Sequence, residues 1–167
     1  MSRLHILRYP DARLHKIAAP VEEIDESIRT LVADMAETMY AAPGVGLAAT
    51  QVDVHKQVIV IDASETRDQL LTLINPEIVT ASGVADCEEG CLSVPGIYEK
   101  IARAGRITVR ALGLDAKTFT MQAEDMLAVC IQHEMDHLKG RVFVEYLSRL
   151  KQPRIRAKLQ KQQRQSA

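Results

Sequence analysis

Two histidines and a glutamate in the pentapeptide His133-Glu134-Met135-Asp136-His137 constrain this chain more than any other feature, because the residues around them favour burial of the segment that carries them. Positions four apart share one face of a helix, so both imidazoles can grip a single divalent ion while Glu134 projects toward its open coordination position. That is the layout of a hydrolytic centre. A charged surface face is the plain alternative for a lone pentapeptide of this kind. The flanks Val129-Cys130-Ile131 and Leu138 argue against it, since unpaired imidazoles and a carboxylate on a partly buried helix cost free energy unless something satisfies them. Two histidines leave a catalytic ion one protein ligand short. The donor upstream is Cys91, in Glu89-Gly90-Cys91-Leu92-Ser93-Val94-Pro95, where Gly90 permits unusual backbone angles and Pro95 stiffens the exit. A free cysteine often only packs, but a thiol on such a shaped turn can be aimed. A thiolate with two imidazoles leaves a fourth position for water.

With 167 residues, 47% hydrophobic and 26% charged, residues 1–167 suit one domain that buries its core without disulfides. Three cysteines (Cys87, Cys91, Cys130) are too few, and odd in number, for a secreted disulfide framework. No N-terminal stretch has the form of a secretion signal and no apolar run nears the length of a membrane span, so the expected location is the cytoplasm, without a membrane partner. A formal net charge of −1 gives no reason to expect DNA binding. The charge is uneven, however: after Glu145 come Arg149, Lys151, Arg154, Arg156, Lys158, Lys161 and Arg164 with no acidic residue, so about residues 150–167 form a basic helix and tail.

Ile24, Ile28, Leu31, Val32, Met35 and Met39 recur at helical spacing behind the cap Asp25, which predicts a helix over about residues 26–40, ended by Pro43 and Gly44. Residues 57–62 read as a short buried strand, 70–74 as another, 106–111 as a half-buried strand with Ile107, Val109 and Ala111 inward, and 119–122 as its neighbour. The helix of the pentapeptide starts at residue 123 or 124, runs to 138 and closes at Gly140. Its apolar positions Leu127, Val129, Cys130 and Ile131 span a wide arc, so it is covered on more than one side. A last helix over about residues 152–163 has Ile155 and Leu159 as its seam. The expected class is α+β: antiparallel or mixed β-sheets surrounding a central HExxH-bearing helix, with an N-terminal helix and a C-terminal basic helix.

Three segments carry a resemblance. Gly44-Val45-Gly46-Leu47-Ala48-Ala49-Thr50-Gln51, Glu89-Gly90-Cys91-Leu92-Ser93 and residues 132–138 resemble, in order and spacing, the three signature motifs of the bacterial peptide deformylase family, type I. The likeness runs from Tyr9-Pro10-Asp11 to the basic tail. It implies a metal-dependent hydrolase that removes the formyl group from N-formylmethionine at the start of new peptides, releasing formate. In that reading Cys91, His133 and His137 hold the ion and Glu134 is the general base. On its own, the glycine pair at 44 and 46 more often marks a tight turn in packed backbone. The Gln51 amide and the Leu92 N–H can nevertheless donate hydrogen bonds to a carbonyl oxygen that gains charge, the role the family gives the matching groups.

Met126 and Val129 lie seven and four residues before His133 on one helix face, where core packing is the commoner explanation. The resemblance assigns them, with Gly44, Val45, Gly46, Cys87 and Tyr98, to the pocket for the methionine side chain. At Tyr98 some relatives carry an arginine, so contacts beyond methionine differ there. Glu89, Arg103 and Asp136 are expected to form a network that steadies the cysteine loop against the helix. The basic helix is either a solvated charged face or, as the resemblance implies, a dock on ribosomal RNA near the peptide exit.

Cysteine and imidazole donors read as zinc on ligand preference, whereas the resemblance implies ferrous iron in cells, replaceable by nickel, cobalt or zinc. Three rivals stay open at this point. Cys87 could join Cys91, His133 and His137 in a closed structural zinc site. A peptidase of the HExxH type would want a further ligand downstream, for which Glu145 is the nearest carboxylate. A non-catalytic zinc module would bind RNA through its C-terminal helix.

Overall fold

The computed structural model describes residues 2–166; Met1 and Ala167, which the single-domain expectation includes, lie outside them. Helix α1 spans Glu26–Ala41, as its periodicity predicts, and Asp25 caps it by accepting from Ile28 N at 3.1 Å. Seven strands follow: β1 (Gly46–Ala48), β2 (Val58–Ile61), β3 (Leu71–Ser82), β4 (Ala85–Cys91), β5 (Val94–Arg103), β6 (Arg106–Leu112) and β7 (Thr118–Glu124). They form a five-stranded sheet in the order β1-β2-β3-β6-β7 and a separate β4-β5 hairpin, every ladder antiparallel. Among the described residues the one parallel pairing is an isolated bridge, Ala19 to Lys56. Helices α2 (Asp125–Leu138) and α3 (Lys151–Ser166) complete the chain.

Period-two alternation explains how the large sheet is covered on both sides. In β2, Val58 and Val60 join Ile28, Val32, Met35 and Met39 of α1 in one core, while Ile59 and Ile61 join Ala128, Ile131, Met135 and Leu138 of α2 in another. Ile107, Val109 and Ala111 of β6 enter the second core, as their alternation predicts. The hairpin lies beyond α2, so the pentapeptide helix is central. A third core joins Leu7 and Tyr9, Ile97 and Ile101 of β5, Phe143, and Ile155 and Leu159 of α3, which docks the basic helix by the two residues of its apolar seam.

Two features depart from expectation. Strand β3 continues past residue 74 to Ser82, although Pro76 cannot donate to a ladder. A register shift between Ile74 and Glu77 accommodates the proline, where β3 exchanges partner β2 for β6, and the Asn75 side chain bonds both Val21 N and Val21 O at 2.8 and 2.9 Å. The β4-β5 hairpin has no apolar stripe on β4 to announce it.

Helix α2 ends at Gly140, whose φ of 77° lies in the left-handed region; a Cβ there would stand 2.5 Å from the His15 carbonyl oxygen. Gly83 has a similar φ of 68° but open space around it. Gly83→Ala therefore costs only the backbone penalty of about 1–2 kcal/mol, whereas Gly140→Ala adds a backbone collision and should lower stability by roughly 3 kcal/mol or more. Urea unfolding midpoints of the two variants check the difference.

Candidate metal centre

The pentapeptide sits on the last turns of α2, where His133, Glu134, Asp136 and His137 are all buried. Gln132 clamps this part of the helix to the β5-β6 link, donating to Ala104 O at 2.8 Å and accepting from Ala104 N at 3.1 Å. Cys91 ends β4 at a turn tight enough that it pairs with Val94 in the same hairpin. Its sulfur lies 3.4 Å from His137 Nε2, which lies 3.3 Å from His133 Nε2. Ligands bound at roughly 2.0 to 2.3 Å around a tetrahedral ion stand about 3.3 to 3.6 Å apart, so the three donors fit one ion.

Hydrogen bonding fixes the tautomer. His133 Nδ1 is 2.8 Å from Glu89 Oε1, which places its proton there and leaves the Nε2 lone pair facing the other two donors. Glu89 in turn accepts from Arg103 Nε at 2.6 Å and Nη2 at 3.0 Å. Arg103 Nη1 donates to Asp136 Oδ2 at 2.8 Å, and the Tyr146 hydroxyl donates to the same oxygen at 2.8 Å. Burial works against ionisation of Glu89, yet the bonds from His133 and Arg103 hold its pKa below the ordinary value. The structure thus brings Glu89, Arg103 and Asp136 into one network. Tyr146 joins them unannounced: nothing in a lone tyrosine after Glu145 identifies its partner.

Burial pushes the Glu134 carboxyl up to about 7, with the neighbouring His133 opposing the shift. Its Oε1 has no hydrogen-bond partner, and a Cβ on Gly46 would stand 2.6 Å from its Oε2. A buried carboxylate with an unpartnered oxygen beside three metal donors matches a group that handles a proton. Gln51, fully buried on the turn after β1, accepts from Ala48 N at 2.9 Å, which turns its amide nitrogen toward Ser93 Oγ at 3.0 Å and Cys91 Sγ at 3.5 Å. The buried Ser93 is a second residue that sequence reasoning passed over, since a serine's amide partner is set by folding.

One cavity of about 1450 Å³ opens onto this centre. Gly44, Val45, Gly46, Cys87, Leu92, Tyr98, Met126 and Val129 line it together with Gln51, Cys91, His133 and Glu134. Among the described residues the grouping of donors comprises Cys91, His133 and His137, while Cys87 lines the cavity outside that group, as an open rather than a closed four-coordinate site requires. Burial first, then Glu134, pushes the Cys130 thiol up to about 12. Glu145 bonds His15 at 3.1 Å and Val142 N at 2.9 Å, outside the donor set, which removes the carboxylate that a peptidase reading needed. No helix among the described residues is long and apolar enough to cross a membrane.

Comparison with known proteins agrees with this geometry. The family model described as polypeptide deformylase matches residues 3–153. Peptide deformylase 2 of Nitrosomonas europaea is 68% identical over 98% of this chain and 89% of its own length. A crystal structure of a peptide deformylase from Legionella pneumophila superposes with a TM-score of 0.95 at 48% identity, covering 99% of this chain and 98% of that one. A peptide deformylase from Ehrlichia chaffeensis, solved in complex with actinonin, gives a TM-score of 0.95 at 43% identity over 98% and 99% of the two chains. A Cys-His-His donor set beside a buried glutamate, reached from three motifs and matched over nearly its whole length, makes this chain a member of the polypeptide deformylase family.

Proposed function

We propose that Glu134, Gln51 and the Leu92 amide, around an ion held by Cys91, His133 and His137, carry out the deformylation that defines the family. The chain is a metal-dependent hydrolase that removes the N-formyl group from the N-terminal formylmethionine of newly synthesised proteins and releases formate. The single observation behind the residue assignment is the triangle of Cys91 Sγ, His133 Nε2 and His137 Nε2 beside the buried carboxylate of Glu134, whose Oε1 has no partner. A divalent ion bound there supplies a Lewis acid that brings the pKa of water toward neutrality.

Glu134 takes a proton from the attacking water and delivers it to the departing nitrogen, a role suited to a carboxyl whose proton affinity is raised to about 7. The Gln51 amide, already turned toward the Cys91 sulfur, and the Leu92 N–H donate to the formyl oxygen as it gains charge. The methionine side chain occupies the cavity between residues 44–46, Cys87, Met126 and Val129, with Tyr98 at its rim; an unbranched thioether adapts well to such walls. Ferrous iron is the ion proposed in cells, with zinc, nickel or cobalt able to occupy the same soft and imidazole donors in isolated protein. The site of action proposed is the cytoplasm, beside the ribosome.

Formate release from a formyl-Met peptide tests the assignment. Glu134→Ala should abolish turnover while elemental analysis finds the ion retained. Gln51→Ala should lower kcat about 100-fold to 1000-fold in a folded protein, which loses about 1–3 kcal/mol of stability because Ala48 N–H forfeits its acceptor. Arg103→Ala leaves Glu89, which orients His133, and Asp136 without their common anchor, so metal affinity measured by dialysis against a chelator should fall about 10-fold to 100-fold. Unchanged retention would remove Arg103 from the proposed support.

Ribosome docking rests on the exposed cations of α3. Arg154, Lys158 and Lys161 face solvent, whereas Ile155 and Leu159 pack in the core. Replacing those three cations by glutamine, with the seam intact, should weaken co-sedimentation with ribosomes and flatten its salt dependence. Unaltered binding would refute docking through this face.

A further inference from the structure

Beside the cavity, a fully buried carboxylate that no step above uses organises a turn of its own. Asp62 follows β2, and its Oδ1 accepts from Ser64 N at 3.0 Å and Ser64 Oγ at 2.5 Å. Its Oδ2 accepts from the Tyr40 hydroxyl at 2.6 Å and Gln69 N at 3.1 Å. These bonds gather residues 62–69 into one compact turn, from which Arg67 reaches back. Its Nη1 donates to Asp62 O at 2.8 Å and its Nη2 to Gly44 O, with the guanidinium 5.1 Å from the centre of the Tyr40 ring. Arg67 adopts a φ of 58°, a left-handed conformation that costs a residue with a side chain free energy and persists only where its surroundings over-determine it.

What Arg67 grips is one wall of the cavity. Asp62 N donates to Val45 O at 2.8 Å, so two successive carbonyls, of Gly44 and Val45, are tied to the same turn. At positions 44 and 46 the wall carries no side chain. A Cβ on Gly46 would lie 2.6 Å from Glu134 Oε2, and one on Gly44 would lie 2.6 Å from Leu92 Cδ1. With no side chains to act as spacers at 44 and 46, the gap there is set by backbone position; Gly44 N donates to Met39 O at 2.8 Å and Gly46 pairs with Ile61, and to these the Arg67 guanidinium adds the one charge-assisted side-chain bond to this segment among the described residues.

We propose that Arg67 is a positioning residue: its bond to the Gly44 carbonyl fixes the width of the cavity next to Glu134, and so determines how well the site tells a methionine side chain from a shorter one. This rests on the methionine pocket proposed above. A pocket discriminates through close apolar contact, and a methylene more or less is worth about 10-fold to 200-fold in selectivity. A wall released by a fraction of an ångström forfeits part of that contact. The proton-handling carboxylate, the Gln51 amide and the metal donors stay as they are, so binding suffers and turnover does not.

The test compares metal-replete wild type, Arg67→Ala and Arg67→Lys on two formyl tripeptides that differ only in methionine or alanine at the first position. Arg67→Ala should raise KM for the methionine substrate about tenfold with kcat within about twofold, and should narrow the methionine-to-alanine ratio of kcat/KM by a similar factor. Arg67→Lys keeps the charge but can reach only one of the two carbonyls, so it should fall between. General loss of stability removes active molecules, which lowers apparent kcat and leaves KM and the ratio alone. Wild-type KM and selectivity in both variants, or a fall in kcat with KM unmoved, would overturn the proposal. If Arg67→Ala does not fold, Arg67→Lys and Tyr40→Phe, which strips one bond from Asp62, decide it by the same readout. Should the wild type release no formate, the functional reading fails by itself. Amide exchange across residues 44–48 then still shows whether Arg67 holds the wall: faster exchange confined to that segment in the variants supports the tether, and unchanged exchange overturns it.

Discussion

A guanidinium between two carboxylates on different elements brings the thiol to the imidazoles. Arg103 closes the β4-β5 hairpin, Glu89 stands two residues before Cys91, and Asp136 stands one before His137, so a single cation ties the strand that carries the sulfur to the helix that carries the nitrogens. All three side chains are nearly excluded from solvent, and burying such a group is costly: an apolar replacement of similar volume is often as stable or more so. The network is therefore poorly explained as a stabiliser. Direction is what apolar packing cannot supply. The fork of Arg103 holds Glu89 by two nitrogens, Glu89 orients the His133 ring through Nδ1, and that ring aims its other nitrogen at the donors.

The helix has to be held as firmly as the hairpin for this to work. Its apolar face is fixed against the five-stranded sheet by Ala128, Ile131, Met135 and Leu138, and Gln132 adds a two-point clamp on Ala104 next to Arg103. Interiors packed to crystal density resist small displacements, so the catalytic face moves with the sheet as one body. Residues 44–46 approach from the opposite side, and there the chain uses glycine for nearness: Gly46 lets the backbone lie against the Glu134 carboxylate. Two tightly packed supports thus meet across a cavity, with the 44–46 segment held between them by backbone hydrogen bonds and the reach of Arg67.

Legibility in the sequence followed the source of each element's stability. Helix α1, strands β2 and β6 and most of α2 were readable because burial drives them and burial leaves a period in the chain. Strand β4 was not, since Asp86, Glu88 and Glu89 alternate with cysteines and a glycine, and the apolar residues that pack the hairpin lie on β5 while β4 is joined to the helix through Glu89 and Arg103. The length of β3 was hidden by Pro76, which marks an end in isolation and sits on a bulge in context. The donor set was readable because metal chemistry accepts few residue types at few spacings. Tyr146, Ser93 and Arg67 were not: each is a common residue whose meaning is a partner distant in sequence, and no local rule names that partner.

Ionic below, the cavity carries exposed apolar side chains at its mouth among polar ones such as Arg8 and Glu88. Val45, Tyr98 and Met126 come from three separate segments, yet each leaves more than a third of its surface exposed around one opening, where a chain without a ligand would bury them. The Tyr98 ring lies so close over Gly90 that a Cβ there would meet it at 2.5 Å, which packs the ring against the strand just before Cys91. Apolar contact is non-directional and worth about 25 cal/mol per Å² covered, so under the proposed function such a rim would gain from almost any peptide laid across it. An enzyme acting on every new chain needs that tolerance beyond the first residue and strictness at it. In the function and the wall proposed above, the two demands fall on different physics, loose coverage at the rim and fixed donors with a fixed wall below, carried by different elements.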